Sequence, residues 1–348
     1  MTKFMVRLTG GQIIAEYLEK EEVPYIVGIP GHGNTALLDA FVGRDSFEFI
    51  QSRHEQSAAH IADGYFRISG KPLTVVTSIG PGATNTVTGV ATAYVDSSAM
   101  LVITGAVHTY MAGVGVLQEI ERKHWADNYS ILKPVVKKCW QVSRVDQLPR
   151  ILPQAFRTML SGRPGPVNID LPMDVQADVA EVEVPEPYSF SIHGGHIVED
   201  DKIRDAAHLL IQAKRPLLLI GGGTTISRAE DKVIELAEYL GIPVVTTWGQ
   251  AKGSIPEDHP LNAFYTGTFG SIVGTKLSLS SDVILAVGCR FADQTTSSYK
   301  TGSSFNIPPT KLIQIDIDPE EIGKNYPVEV GLSGDAKLTL ESILHVIQ

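Results

Sequence analysis

The sequence predicts an α/β fold of two doubly wound domains, each with a mainly parallel sheet and helices on both faces. Three observations predict it. Short apolar runs at 73–77, 100–105 and 216–220 alternate with segments of helical period. Those runs are apolar throughout rather than alternating, as strands buried on both faces are. The length of 348 residues fits two cores better than one.

The elements follow in order. Thr9 is placed to cap a helix carrying Ile13, Ile14, Tyr17 and Leu18 at helical spacing. Residues 24–28 read as a buried strand running into the glycine turn 29–34, where Asn34 is placed to cap the next helix. A strand near 47–51 leads to a helix with Ala58, Ala59, Ile61 and Ala62. Strands at 73–77 and 100–105 follow, with a helix from about Thr84 between them, and 164–172 reads as the last strand of the domain. Residues 176–198, rich in Val, Glu, Pro and Ser, read as a linker. A second series then runs through a helix at 201–213, a strand at 216–220, the loop Gly221-Gly222-Gly223, a helix at 228–240 and strands at 242–246, 282–288 and 311–318. The expected domains are therefore 1–175 and 199–348, joined by 176–198.

Composition excludes several classes. Hydrophobic residues make up 43% and charged residues 20%, which is globular rather than disordered. The net charge of −10 and the lack of a basic cluster argue against nucleic acid as a partner. No run reaches the roughly 18 apolar residues of a membrane span, and residues 1–7 lack the apolar core of a secretory signal. Cys139 and Cys289 form neither a disulfide framework nor a metal motif. A cytoplasmic protein is expected. His60, His108, His124, His193, His196, His208 and His259 show no ligand spacing, so no metal is assigned to this chain.

Glu55 is the most informative residue. It lies in Arg53-His54-Glu55-Gln56-Ser57-Ala58-Ala59-His60, after a strand and at the start of a small-residue helix, a good way to bury an acid. Downstream lies Ser78-Ile79-Gly80-Pro81-Gly82-Ala83-Thr84-Asn85, a backbone-rich turn at a helix start. Together these segments resemble the pyrimidine-binding domain of thiamine diphosphate (ThDP) enzymes. With 91–97, 162–167 and 315–325, they look like the acetolactate synthase branch from about residue 9 to 345.

That resemblance implies a ThDP-dependent carboligase that decarboxylates a 2-oxo acid and transfers its acyl unit. Glu55 would bond the cofactor's aminopyrimidine ring and relay a proton, a form of general acid–base catalysis. His32 and Gln118 would be the other catalytic residues, and Pro30, Gly31, Ser78, Gly80, Pro81, Gly82 and Asn85 would form the pyrimidine side of the cofactor site. In the second domain Gly221, Gly222, Gly223, Gly288, Arg290 and Asp293 lie where FAD-containing members hold their flavin, so FAD enters as an expectation. Thr268-Phe269 departs from the Met-His often seen in the neighbouring loop, and extra residues including His124, Trp125 and Tyr129 follow Gln118. Gly31-His32-Gly33-Asn34 more closely resembles trihydroxycyclohexanedione hydrolases, so C–C bond hydrolysis of a cyclic 1,2-dione is the alternative. A non-catalytic structural or regulatory partner is a third reading.

The family signature for diphosphate and metal, Gly-Asp-Gly followed by Asn-Asn, does not occur. The expectation is a truncated chain or one subunit of a split enzyme, with the diphosphate-binding domain and its Mg²⁺ supplied in cis or in trans. A dimer or tetramer follows by analogy.

Overall fold

A computed structural model describes residues 5–120, 128–187 and 198–348. His124, Trp125, His193 and His196 lie outside the described residues. The chain divides into two compact units, Met1–His193 and Gly194–Gln348.

The first unit contains strands β1 (Val6–Thr9), β2 (Tyr25–Gly28), β3 (Glu48–Gln51), β4 (Thr74–Thr77), β5 (Leu101–Ala106), β6 (Lys138–Gln141), β7 (Val167–Pro172) and β8 (Val179–Val182). Six of them form a parallel sheet of order β3-β2-β4-β5-β7-β6. Its central strands β4, β5 and β7 are buried at every position, which suits the largely apolar runs of β4 and β5, while β7 also buries Asn168 and Asp170. One face packs on the helices Gly10–Lys20 and Leu148–Leu160 through Ile13, Ile14, Tyr17, Leu18, Ile151 and Phe156. The other packs on Glu55–Ser69 and Val87–Val95 through Ala58, Ala59, Ala62, Val90 and Ala93. Small residues let those two helices approach closely: a Cβ on Gly89 would stand 2.6 Å from the Ala59 Cβ.

Thr9 caps the first helix in a reciprocal box, its hydroxyl accepting from the Gln12 amide while its own amide donates to Gln12 Oε1 at 2.9 Å. The helix expected from Thr84 is two short pieces, Pro81–Thr84 and Val87–Val95. β8 falls inside the stretch that reads as linker and pairs antiparallel with β1, Val6 facing Val182 and Thr9 facing Val179.

The second unit contains β9 (Pro216–Ile220), β10 (Val244–Thr246), β11 (Asn262–Tyr265), β12 (Val283–Val287), β13 (Lys311–Asp316) and β14 (Val330–Ser333). They form a parallel sheet of order β11-β10-β9-β12-β13-β14. The helices Asp200–Gln212, Glu230–Leu240 and Ala336–Ile347 pack on one face through Ile203, Leu210, Val233, Leu236, Leu340 and Ile343. The other face is covered by an aromatic group in which Phe291 meets Phe305 and Tyr326 edge-on. No helix among the described residues is long and apolar enough to cross a membrane.

Candidate active site

In an open parallel sheet, ligands bind beyond the carboxyl ends of strands where the strand order reverses. In the first unit that place lies between β2 and β4, and the loops leaving β2, β3 and β4 meet there. They enclose a cavity of about 240 Å³ lined by Ile29, Pro30, Gly31, His32, Glu55, Ser78, Ile79, Pro81, Gly82, Asn85 and Gln118. Every catalytic and pyrimidine-side residue expected from the sequence lies in this wall except Gly80. Ile29 and Ile79 are additions, foreshadowed by their places just past a strand and beside a glycine.

Glu55 opens its helix, and His54 caps that helix through ring Nδ1, which accepts from the Gln56 amide at 3.2 Å. The acid is half-buried rather than dry, because the cavity leaves one side of it accessible. Its Oε2 accepts from Asn85 Nδ2 at 3.0 Å. Its Oε1 faces Gly82, 3.5 Å from where a Cβ would stand, and takes no hydrogen bond among the described residues.

The turn after β2 is held from three sides. Asn34 does not cap the next helix with its side chain; it turns back, accepting from the Gly31 amide at 2.8 Å and donating to Ile29 O at 3.0 Å. A short polar side chain satisfies its own loop this way in preference to a helix end. Ser78 Oγ accepts from the Gly33 amide at 3.2 Å, and the buried Gln176 donates to Gly33 O at 2.8 Å and accepts from the Leu37 amide at 3.2 Å. His32 thus stands on a fixed turn. Gln176 carries no local motif that sequence reasoning could read, since its partners lie far away in the chain.

Gly80 lies just behind the wall. Its φ of 57° is left-handed, and a Cβ there would fall 2.0 Å from Gln118 O. The glycine is needed twice: for the turn, and to let the Gln118 backbone dock. Gln118 itself has φ 64°. Glu119 beside it accepts from the amides of Gly113, Gly115 and Val116 at 2.5, 2.7 and 2.9 Å. Partial burial pushes its carboxyl up, but the three backbone donors outweigh this and hold it below its usual pKa.

The second unit also brings glycines to its order reversal, between β9 and β12. The Gly221 amide donates to Val287 O at 2.9 Å and the Gly223 amide to Gly288 O at 3.1 Å. Cβ atoms on Gly221 and Gly223 would stand 2.1 Å from Gly288 O and 2.7 Å from Gly288 Cα. Gln250 covers Gly222, with Oε1 2.6 Å from its would-be Cβ. Arg290 and Phe291 carbonyls accept from Asn325 Nδ2, and Asp293 starts the short helix Asp293–Thr296. The amides of Gly221 and Gly223 are therefore committed to chain contacts, which does not fit a pyrophosphate cradle at those two residues. No group of three His, Cys, Asp or Glu among the described residues could hold a metal.

The chain belongs to the thiamine pyrophosphate enzyme family. Residues 8–125 match its N-terminal TPP binding domain and residues 203–343 its central domain. Over 97% of its length it is 40% identical to a probable acetolactate synthase large subunit of Methanocaldococcus jannaschii, of which it covers 56%. It is 37% identical to the acetolactate synthase large subunit of Corynebacterium glutamicum and 35% identical to the acetolactate synthase isozyme 1 large subunit of Escherichia coli, covering 52% and 58% of them. The chain thus spans about half the length of the curated relatives it matches.

The first-unit site fits the cofactor that the family implies. A flat aminopyrimidine needs an acid with an oxygen to spare and apolar surface above and below. Glu55 Oε1 meets the first need, and Ile29, Pro30 and Ile79 bring apolar surface to the same cavity.

Proposed function

We propose that this chain is the N-terminal portion or subunit of a ThDP-dependent lyase or transferase that decarboxylates a 2-oxo acid and transfers the acyl unit, as its acetolactate synthase relatives' names suggest. The observation that carries this reading is Glu55, with one oxygen tied to Asn85 and the other facing a cavity at the order reversal of a parallel sheet. ThDP supplies a nucleophilic carbon and an electron sink for decarboxylation. Glu55 holds the proton at Oε1, Asn85 fixes the carboxylate plane, and Gly82 lets the ring approach. His32 and Gln118 line the same cavity, and in this reading each bonds a substrate oxygen. The domains that share this work are residues 1–175 and 199–348, with a diphosphate-binding domain and its Mg²⁺ supplied in cis or in trans, within a dimer or tetramer in the cytoplasm.

FAD in the second unit is a weaker part of the reading. The commitment of the Gly221 and Gly223 amides favours a packing role for that loop. His32 in the cavity wall favours a second reading, hydrolysis of a cyclic 1,2-dione, in which the imidazole would polarise a ring carbonyl. Placement of Glu55 in a formed cavity speaks against a purely structural partner.

The test uses the intact protein. Glu55→Gln should fold normally and lower exchange of the cofactor C2 proton by about 100-fold or more, the range of a lost acid–base group. Exchange at the wild-type rate overturns the role. Turnover of pyruvate against that of a cyclic 1,2-dione decides between the two chemistries.

A further inference from the structure

Gln118 reaches the cavity from a loop that belongs to no helix or strand. What holds it there is a feature of the same loop. The amides of Gly113, Gly115 and Val116 all point inward at the Glu119 carboxylate, at 2.5, 2.7 and 2.9 Å. Three amides of one loop converge on one anion, the Val114 amide between them going to Met111 O, and donors to a charged acceptor make the stronger hydrogen bonds. Gly113 and Gly115 have φ of 79° and 84°, so glycine is suited to both places. The Glu119 amide closes the turn by donating to Val116 O at 3.0 Å. The loop so gathered lays the Gln118 carbonyl on Gly80, where a side chain would block it.

We propose that Glu119 is a positioning residue for the reaction: its carboxylate gathers residues 113–119 into a fixed turn and thereby sets Gln118 in the cavity wall. This rests on the reading of the cavity as the site of 2-oxo acid chemistry. The carboxyl's lowered pKa agrees with an anion held by backbone donors.

The test compares Gln118→Ala, Glu119→Ala, Glu119→Gln and the double alanine variant in the intact protein. Amide hydrogen exchange of 112–120 and 78–82 is read alongside kcat and KM. Glu119→Ala should abolish protection at Gly113, Gly115 and Val116 and raise exchange around Gly80; Glu119→Gln should restore part of it. In turnover, Glu119→Ala should lose about 10-fold or more, as for a hydrogen bond to a charged group. It should show the same split between kcat and KM as Gln118→Ala, with no further loss in the double variant. Protection unchanged in Glu119→Ala, or losses that add in the double variant, overturn the proposal. If wild type turns over no 2-oxo acid, the functional reading fails, and the exchange data alone still decide whether Glu119 holds the turn and docks it at Gly80.

Discussion

Between β2 and β4 the loops stand apart and leave a cavity; between β9 and β12 they close on each other. Both places are order reversals of a six-stranded parallel sheet, and both are built with glycine. Glycines at both meet backbone, as Gly80 meets Gln118 O at 2.0 Å, so the difference lies in the glycines that meet side chains instead. Around the cavity, Gly31 makes room for the Ser78 side chain, while Gly82 leaves 3.5 Å to Glu55 Oε1. In the second unit, Gly221, Gly223 and Gly288 make room for one another's backbone. Glycine after a strand therefore marks close approach, and whether chain or ligand approaches is decided by the opposite loop.

Alanine substitutions can break this comparison. The largest effect is expected at Gly288, where φ is 56° and a Cβ would lie 2.5 Å from Gly223 Cα. Gly288→Ala should destabilise the second unit by about 3 kcal/mol, the upper end of overpacking costs, as read by denaturant unfolding. Gly82→Ala should do the reverse. It meets only ordinary contacts within a short helix, so stability should change by less than about 1 kcal/mol while ThDP affinity falls in titration calorimetry. Unchanged affinity would mean that nothing approaches the cavity from that side. Asn85→Ala removes the hydrogen bond to Glu55 Oε2 and should slow C2 exchange by about 10-fold.

Two smaller effects sharpen the contrast. Cys289 follows Gly288, is 2% exposed, and has its thiol pushed up to about 12 by burial. It should resist alkylation in native protein while the half-buried Cys139 reacts. Labelling of Cys289 at the rate of Cys139 would mean that the second crevice opens. Near the first cavity, the Glu119 carboxyl titrates lower folded than unfolded. Its contribution is thus complete above the usual carboxylate range and is lost as pH falls through the lowered native value. Exchange protection at Gly113–Val116 should follow that course.

Much of this was legible in the sequence because the strands nearest the reversals are buried on both faces. β4, β5, β9 and β12 announce themselves as unbroken apolar runs. β1, β6 and β8 do not, since their residues are largely partly buried or exposed and carry Arg7, Lys138 and Glu181. The helix Leu148–Leu160 hides behind Pro149 and Pro153, of which the second sits in its interior against propensity. At the site, Glu55 and the Gly80–Asn85 turn could be read because the residues around them, contiguous in the chain, resemble a known family's motifs. Gln176 and the Glu119 turn could not, because one depends on distant partners and the other on left-handed backbone that no single residue encodes.

The β1–β8 pairing bears on how the first unit answers to mechanical load. Val6 faces Val182 at one end of a four-pair antiparallel ladder, and Thr9 faces Val179 at the other. A pull applied at Val6 and Val182 would open the rungs one after another, like a zip, instead of shearing them together. The ribbon is a sheet separate from the six-stranded one, so its rungs are the first strand pairing to meet such a load.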